Sequence, residues 1–137
     1  MIRVLLVDDD PRILQAWRNA FAQREEFTVV GVRTEADHLD EALREHQPDQ
    51  VVIDLTMAGA EPLDAVARLT LEHPGVRFVI HTAHSDFETI QRAFDAGAWA
   101  YVDKLSAATE LFDVLRKVAD GQVVFPPGTE SMPPGRG

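Results

Sequence analysis

The sequence predicts an α/β fold in which helices cover both faces of a parallel five-stranded sheet. Short apolar runs rich in β-branched residues alternate five times with segments of helical periodicity. Such alternation is typical of doubly wound parallel sheets. Residues 51–53 are all apolar and lead directly into Asp54, as expected of a strand buried on both faces. Asp54 should then lie at the carboxyl edge of the sheet, where ligands bind in open α/β folds.

Composition limits the classes of function. The 137 residues suffice for one domain with a core, and the absence of cysteine excludes disulfides and thiolate metal sites. A net charge of -10 disfavours direct contact with nucleic acid, which requires a basic face. No apolar run is long enough for a bilayer and no signal-peptide layout begins the chain. We therefore expect a cytoplasmic protein without a membrane partner.

The first half of the chain contains two complete strand–helix units and a third strand. Residues 2–7 are predicted to form a strand, followed by a helix with Asp10 as N-cap and Pro11 in its first turn. A second strand is predicted at residues 27–32 and a second helix at 35–45, before the strand that ends at Asp54.

The second half continues the alternation after a loop at residues 58–62 and a third helix. Further elements are predicted as a strand at 76–82, a helix at 86–96, a strand at 98–102 and a helix at 107–120. Gly97 and Gly121 should end the last two helices. The remainder, 122–137, is rich in proline and glycine and is predicted to be a linker or disordered tail, which leaves a domain at 1–121.

Polar residues that suit phosphate chemistry follow several strands. With the flavodoxin-like strand order 2-1-3-4-5, the first and third strands are neighbours, and the carboxylates that follow them should converge. Close carboxylates repel one another unless a cation compensates them, and Mg²⁺ prefers oxygen ligands. A hydroxyl and an ammonium on the far side would suit a phosphoryl group. The residues concerned are Asp8, Asp9, Asp54, Thr82 and Lys104.

The chemistry that uses this arrangement is phosphoryl transfer to a carboxylate. Asp54 would be the nucleophile and would form an acyl phosphate. Lys104 and the metal would offset the charge of the transferring group, and positioning would supply most of the catalysis.

Four motifs in this order resemble the receiver domain of two-component response regulators, and the resemblance covers residues 2 to about 121. The motifs are Val7-Asp8-Asp9-Asp10-Pro11, Ile53-Asp54-Leu55-Thr56-Met57, Thr82-Ala83 and Tyr101-Val102-Asp103-Lys104. The resemblance implies that a sensor histidine kinase phosphorylates Asp54.

The same resemblance implies roles for the surrounding residues. Asp9 and Asp54 would bind Mg²⁺ directly, Asp8 largely through water, and the Thr56 backbone carbonyl would complete the site. Thr82 and Tyr101 resemble the switch pair, in which the hydroxyl moves to the phosphoryl group and the aromatic ring turns inward. Positions Thr56 and His84 resemble those that tune the lifetime of the acyl phosphate.

Residues 97–101 and the segment from Asp120 to Pro126 are most similar to the NarL-type subfamily. Those receivers precede a LuxR-type helix-turn-helix domain, which these residues do not contain. We therefore expect a receiver separated from a longer transcription regulator, with DNA contact only through that other domain. The resemblance also implies a possible homodimer.

The chain departs from the family pattern at several positions. Ala58 and Glu61-Pro62 replace a usual proline and a usual Asp-Gly, so the loop after Asp54 should be shaped differently. Leu105 follows Lys104 where proline is frequent, which disfavours a cis peptide there. His81 stands where an apolar residue is usual.

Other functions remain compatible with parts of this pattern. A receiver-like scaffold that is never phosphorylated would need the same fold. A haloacid-dehalogenase-like phosphatase also uses aspartate, Mg²⁺, threonine and lysine, but its nucleophile follows the first strand. A flavin mononucleotide carrier would need a phosphate-binding loop where this chain has three aspartates, and zinc binding by His81 and His84 would need a third ligand.

Overall fold

The computed structural model describes residues 1–57, 59 and 61–129, and in this part of the chain five strands alternate with five helices. The strands are parallel and lie in the order β2-β1-β3-β4-β5, which confirms the predicted fold and topology. The elements are β1 (Ile2–Val7), α1 (Pro11–Ala22), β2 (Phe27–Arg33), α2 (Leu39–His46), β3 (Gln50–Ile53), α3 (Pro62–Glu72), β4 (Arg77–Thr82), α4 (Phe87–Asp95), β5 (Ala100–Asp103) and α5 (Ala108–Ala119).

The register places the carboxyl ends of the central strands level with one another. Val7 at the end of β1 pairs with Ile53 at the end of β3. The Asp54 amide extends this pairing by donating a 3.0 Å hydrogen bond to the Val7 carbonyl. The residues that follow these two strands are therefore held side by side by the sheet itself.

Two apolar clusters fill the two faces of the sheet. Alternate strand residues contribute to each face, as the period of two in a β-strand requires. One cluster joins the sheet to α2, α3 and α4, and the other joins it to α1 and α5. In the second cluster the rings of Phe21 and Phe112 meet edge to face with centroids 4.9 Å apart. Burial of this kind contributes about 1.5–3 kcal/mol per large apolar side chain.

Local sequence signals begin or end several helices, and those predicted at Asp10, Pro11 and Gly97 are confirmed. Asp10 caps α1 by accepting a hydrogen bond from the Arg12 amide, and Asp86 caps α4 in the same way from Thr89. Gly97 follows α4 with a φ of 100°, a left-handed conformation that favours glycine. Glu61 and Pro62 also have a structural role, since Glu61 caps α3 and Pro62 occupies its first turn.

The predicted start of the second helix is wrong by four residues. Residues 35–38 are not helical, and α2 begins at Leu39 after His38, whose φ is 61°. Ala36 is only 1% exposed and packs in the cluster beneath α2. Because Ala36 is buried in the core, residues 35–38 do not continue the axis of α2, and the helix begins later than predicted.

The first residues after α5 pack against the sheet. Gly121 has a φ of 87° and turns the chain back, so that Val124 pairs with Ala100 of β5 and Phe125 contacts the core. The domain boundary at residue 121 stays a prediction, as does a linker or tail at 122–137. Residues 130–137 and the departure at Ala58 lie outside the described residues.

Two further expectations concern the described residues as a whole. No helix in the described ranges combines the length and apolar character needed to cross a membrane. All peptide bonds there are trans, including the one between Lys104 and Leu105, as expected for a non-proline residue.

Candidate functional site

A cleft of about 290 Å³ opens at the carboxyl edge of the sheet. It lies over the ends of β1 and β3, at the point where the strand order reverses, which is the usual ligand position in such sheets. The lining residues are Asp8, Asp9, Asp10, Ile13, Asp54, Thr56, Ala83 and Lys104.

Three carboxylates meet in this cleft, as the topology predicts. Oxygen atoms of Asp8, Asp9 and Asp54 lie within 4.8 Å of one another. Asp8 and Asp54 are only 5% and 3% exposed, whereas Asp9 is exposed to solvent. This donor set, acidic and open on one side, has the composition of a site for a hard divalent cation.

Lys104 is the cation that binds two of these carboxylates. Its Nζ lies 2.7 Å from Asp8 Oδ2 and 2.8 Å from Asp54 Oδ2. Burial lowers the pKa of Lys104, but the hydrogen bonds to Asp54 and Asp8 together with the negative charges of these residues outweigh burial and raise that pKa. Lys104 is therefore charged, and three carboxylates with one ammonium leave a formal charge of −2 in the cleft.

Backbone amides hold the remaining carboxylate oxygens in place. Asp54 Oδ1 accepts a 3.2 Å hydrogen bond from the Thr56 amide, and Asp8 Oδ1 accepts one of 3.0 Å from the Asp10 amide. Asp10 also lines the cleft but is not one of the three clustered carboxylates, because its own carboxylate caps α1 and pairs with Arg12. The loops after β1 and β3 thus orient Asp8 and Asp54 before any ligand binds.

Thr82 lies at the end of β4 but does not line the cleft. It is fully buried, and its Oγ1 accepts a 3.4 Å hydrogen bond from the His84 amide. Its neighbour Ala83 lines the cleft instead.

Tyr101 points inward from β5 and is 7% exposed. Its hydroxyl donates a 2.5 Å hydrogen bond to the His84 carbonyl, which joins β5 to the loop before α4. Burial, followed by the charges of Asp86 and Asp103, raises the pKa of Tyr101 to about 12. The hydroxyl therefore remains protonated and able to donate.

Thr56 and His84 lie in direct contact, which the sequence did not predict. Thr56 Oγ1 and His84 Nε2 are 2.8 Å apart. Both side chains are exposed at the rim of the cleft. No sequence signal reveals this contact, because it joins two loops that are 28 residues apart.

His81 belongs to the opposite face of β4 from this rim. It is 6% exposed, and its ring meets Trp17 edge to face with centroids 5.2 Å apart. Burial, with a smaller contribution from the charge of Lys104, lowers the pKa of His81 to about 4. His81 is thus neutral near pH 7 and substitutes for an apolar residue in the core.

The sequence matches the family described as Response regulator receiver domain over residues 4–116. Among curated relatives, the response regulator protein VraR of Staphylococcus epidermidis is 27% identical over 126 residues, which cover 92% of this chain and 60% of VraR. A putative transcriptional regulator of Pseudomonas aeruginosa is 34% identical over 131 residues, which cover 93% of this chain and 61% of the relative. The chain thus spans about three fifths of these relatives.

Solved structures of response regulators are also similar to this chain. A two-component response regulator of the LuxR family from Aurantimonas sp. SI85-9A1 has a TM-score of 0.86 and 31% identity, covering 93% of this chain and 91% of that one. The isolated receiver domain of RcsB from Salmonella enterica, solved with the phosphomimetic BeF3-, has a TM-score of 0.83 and covers 92% of this chain and 94% of that one. Its identity is 22%, so it supports the fold alone.

Proposed function

The chain belongs to the response regulator receiver domain family, and on this premise we propose that Asp54 accepts a phosphoryl group from a sensor histidine kinase. The main support is the position of Asp54, buried at the end of β3 with one oxygen bound by Lys104 and the other by the Thr56 amide. These contacts hold the carboxylate in one orientation. An oriented, ionised carboxylate is what nucleophilic attack on phosphorus requires.

The three carboxylates would hold Mg²⁺. Asp9 and Asp54 would bind it directly, Asp8 largely through water, and the backbone carbonyl of Thr56 would complete the ligand set. The charge of −2 in the cleft matches a divalent ion, and carboxylate oxygens suit its preference. When bound, Mg²⁺ would offset the negative charge of the transferring group.

The transfer itself uses groups of this chain. An Asp54 oxygen attacks phosphorus, the phosphorus–nitrogen bond of the kinase phosphohistidine breaks, and the leaving imidazole takes up a proton. Lys104 then donates to an oxygen of the new acyl phosphate rather than to the carboxylate alone. The side chain of Thr82 rotates so that its hydroxyl donates to another oxygen, and the inward position of Tyr101 accompanies that rotation.

The contact between Thr56 and His84 would set how long the acyl phosphate survives. Thr56 lines the cleft and His84 contacts Thr56, so both side chains would lie near a phosphoryl group on Asp54. They would restrict the approach of the water that hydrolyses it. We propose self-phosphorylation and self-dephosphorylation as the whole chemical activity of the domain.

The expected output is control of transcription in the cytoplasm. The similarity to a LuxR-family regulator and to a putative transcriptional regulator supports this proposal. Phosphorylation would favour homodimerisation or release of a DNA-binding domain, and this segment would not itself contact DNA. The haloacid-dehalogenase and flavin alternatives lack support, because the family match covers residues 4–116 and assigns the fold to receivers.

The test is the intact mass after incubation with Mg²⁺ and acetyl phosphate. We expect one added phosphoryl group, absent from Asp54→Ala and absent when a chelator removes the metal. A short-lived product is covered by repeating the experiment with beryllofluoride and following Trp17 and Trp99 fluorescence. Failure of both would favour an unphosphorylated scaffold over the proposed function.

A further inference from the structure

The exposed edge of β5 is covered by the chain that follows α5. A strand at the edge of a sheet normally leaves its backbone groups unpaired. Here the Val124 amide donates a 2.8 Å hydrogen bond to the Trp99 carbonyl, and the Tyr101 amide donates one of 3.0 Å to the Val124 carbonyl. Val124 thus forms a parallel bridge opposite Ala100.

The next residue, Phe125, lies against the inward ring of Tyr101. The two ring centroids are 6.3 Å apart, and the Phe125 ring also meets Phe94 of α4 edge to face at 5.0 Å. Phe125 is partly buried and packs on the same cluster as Tyr101. An outward Tyr101 ring would remove one wall of the Phe125 site.

This attachment is small and leaves open space beside it. A groove of about 440 Å³ runs between residues 124–127 and the facing side chains of Ser85, Ile90 and Glu110. The segment is held by the Val124 bridge, the hydrogen bond from the Gln122 amide to the Lys117 carbonyl, packing of Val124 on the sheet and the two ring contacts of Phe125. Such a limited contact can be gained or lost without unfolding the domain.

A continuous chain of contacts joins this segment to Thr82, the residue proposed to bind the phosphoryl group. Thr82 Oγ1 accepts from the His84 amide at 3.4 Å, and the His84 carbonyl accepts from the Tyr101 hydroxyl at 2.5 Å. Tyr101 in turn bonds Val124 through its backbone and contacts Phe125 through its ring. Rotation of Thr82 and the position of the loop at His84 therefore bear directly on Tyr101.

From this we infer that residues 122–127 form a docking segment whose attachment to β5 is coupled to the phosphorylation state of Asp54. The inference rests on the proposed function. A modified Asp54 draws the Thr82 hydroxyl toward it, Tyr101 is retained inward, and the docking segment binds more tightly. Because such coupling is reciprocal, the docked segment strengthens binding of a phosphoryl analogue at Asp54 by the same factor.

Hydrogen exchange at two amides measures the docking. Adding beryllofluoride with Mg²⁺ to the full chain should slow exchange of the Tyr101 and Val124 amides by about fivefold or more, the lower end of usual allosteric coupling. Beryllofluoride binding is measured in parallel by titration. No binding to the full chain would overturn both the proposed function and this inference, whereas binding with unchanged exchange at both amides would overturn the inference alone.

Phe125→Ala tests the reciprocal effect, with Phe87→Ala as its matched control. Phe87 is also a phenylalanine but is 60% exposed on α4. Phe125→Ala should weaken beryllofluoride binding by about the factor measured in the exchange experiment, and Phe87→Ala should not. Equal affinity of the Phe125→Ala protein and the unchanged chain, with both folded by circular dichroism, would refute the coupling.

Tyr101→Phe separates coupling from docking. It keeps the ring and the backbone bonds to Val124 but removes the hydroxyl that binds the His84 carbonyl. The Val124 amide should stay protected but should no longer respond to beryllofluoride. A response as large as that of the unchanged chain would exclude the path through His84.

Discussion

The ammonium of Lys104 lies 2.8 Å from Oδ2 of Asp54 and also bridges to Asp8. Two of the three carboxylates that would bind a metal are therefore already paired with the Lys104 ammonium. Lys104 offsets the negative charge of these two buried carboxylates, which would otherwise repel each other. The same ammonium opposes the entry of a second cation.

Lys104→Met should therefore strengthen binding of Mg²⁺. Removing one positive charge from the cleft relieves repulsion of about 1.4 kcal/mol, equivalent to a roughly tenfold lower dissociation constant. Calorimetric titration with Mg²⁺ measures it. Lys117→Met, which removes a charge from an exposed site on α5, is the control. Weaker or unchanged Mg²⁺ binding in Lys104→Met would contradict this account of the cleft.

Thr82→Ala should reduce the affinity for beryllofluoride by about ten- to 150-fold. A hydrogen bond to a charged group contributes about 1.5–3 kcal/mol, and the alanine variant cannot donate it. Thr82→Ser retains the hydroxyl and should bind nearly as well as the unchanged chain. If serine fails as badly as alanine, the effect comes from the lost methyl group in a buried position rather than from the hydroxyl.

His84→Ala should shorten the lifetime of the acyl phosphate. The change removes the partner of Thr56 Oγ1 and opens the rim of the cleft to water. Loss of the phosphorylated mass with time, after removal of acetyl phosphate, gives the rate. Thr56→Val keeps the shape at that position and breaks the same hydrogen bond, so it should act in the same direction. An unchanged rate in both variants would remove the proposed tuning role.

The stability of the metal-free domain should fall as the pH drops from 6.5 toward 4 because of His81. Its pKa is lowered to about 4 in the fold from an ordinary value of 6.5. Between these two pH values His81 binds a proton in the unfolded chain but not in the folded chain. The contribution of His81 to the free energy of unfolding is therefore full above pH 6.5 and is lost as the pH falls toward 4. The difference amounts to about 3 kcal/mol.

Urea unfolding at a series of pH values measures this effect, with His81→Leu as the comparison. The leucine variant should lose less stability between pH 7 and pH 4.5 than the unchanged chain does. Because the carboxylates titrate in both proteins, their contribution cancels in the difference. Parallel pH profiles for the two proteins would show that His81 is protonated in the fold as easily as in the unfolded chain.

The alternation of strands and helices and the position of Asp54 could be predicted because both follow from local patterns, whereas the strand order comes from the flavodoxin-like arrangement. A buried apolar run that ends in an acid fixes a strand and its carboxyl edge. The meeting of Asp8 with Asp54 then follows from the strand order alone. Their bonds to Lys104 required only that β5 end at the same edge.

Other features depend on contacts that no local pattern encodes. The late start of α2 follows from burial of Ala36 beneath it, although residues 35–38 have no strong helix-breaking residue. Docking of Phe125 depends on a site built by α4 and β5 together. Composition alone cannot reveal this packing, and the linker or tail at 122–137 stays a prediction.

The pairing of Val124 with β5 also bears on how shortened versions of the chain would behave in solution. A fragment that ends at Gly121 lacks the groups that satisfy the Trp99 carbonyl and the Tyr101 amide. It would present a bare strand edge to its neighbours, and such edges recruit strands from other molecules. The few residues after α5 therefore cover the edge of β5 and oppose aggregation. The position at which a fragment ends should decide whether it stays monodisperse.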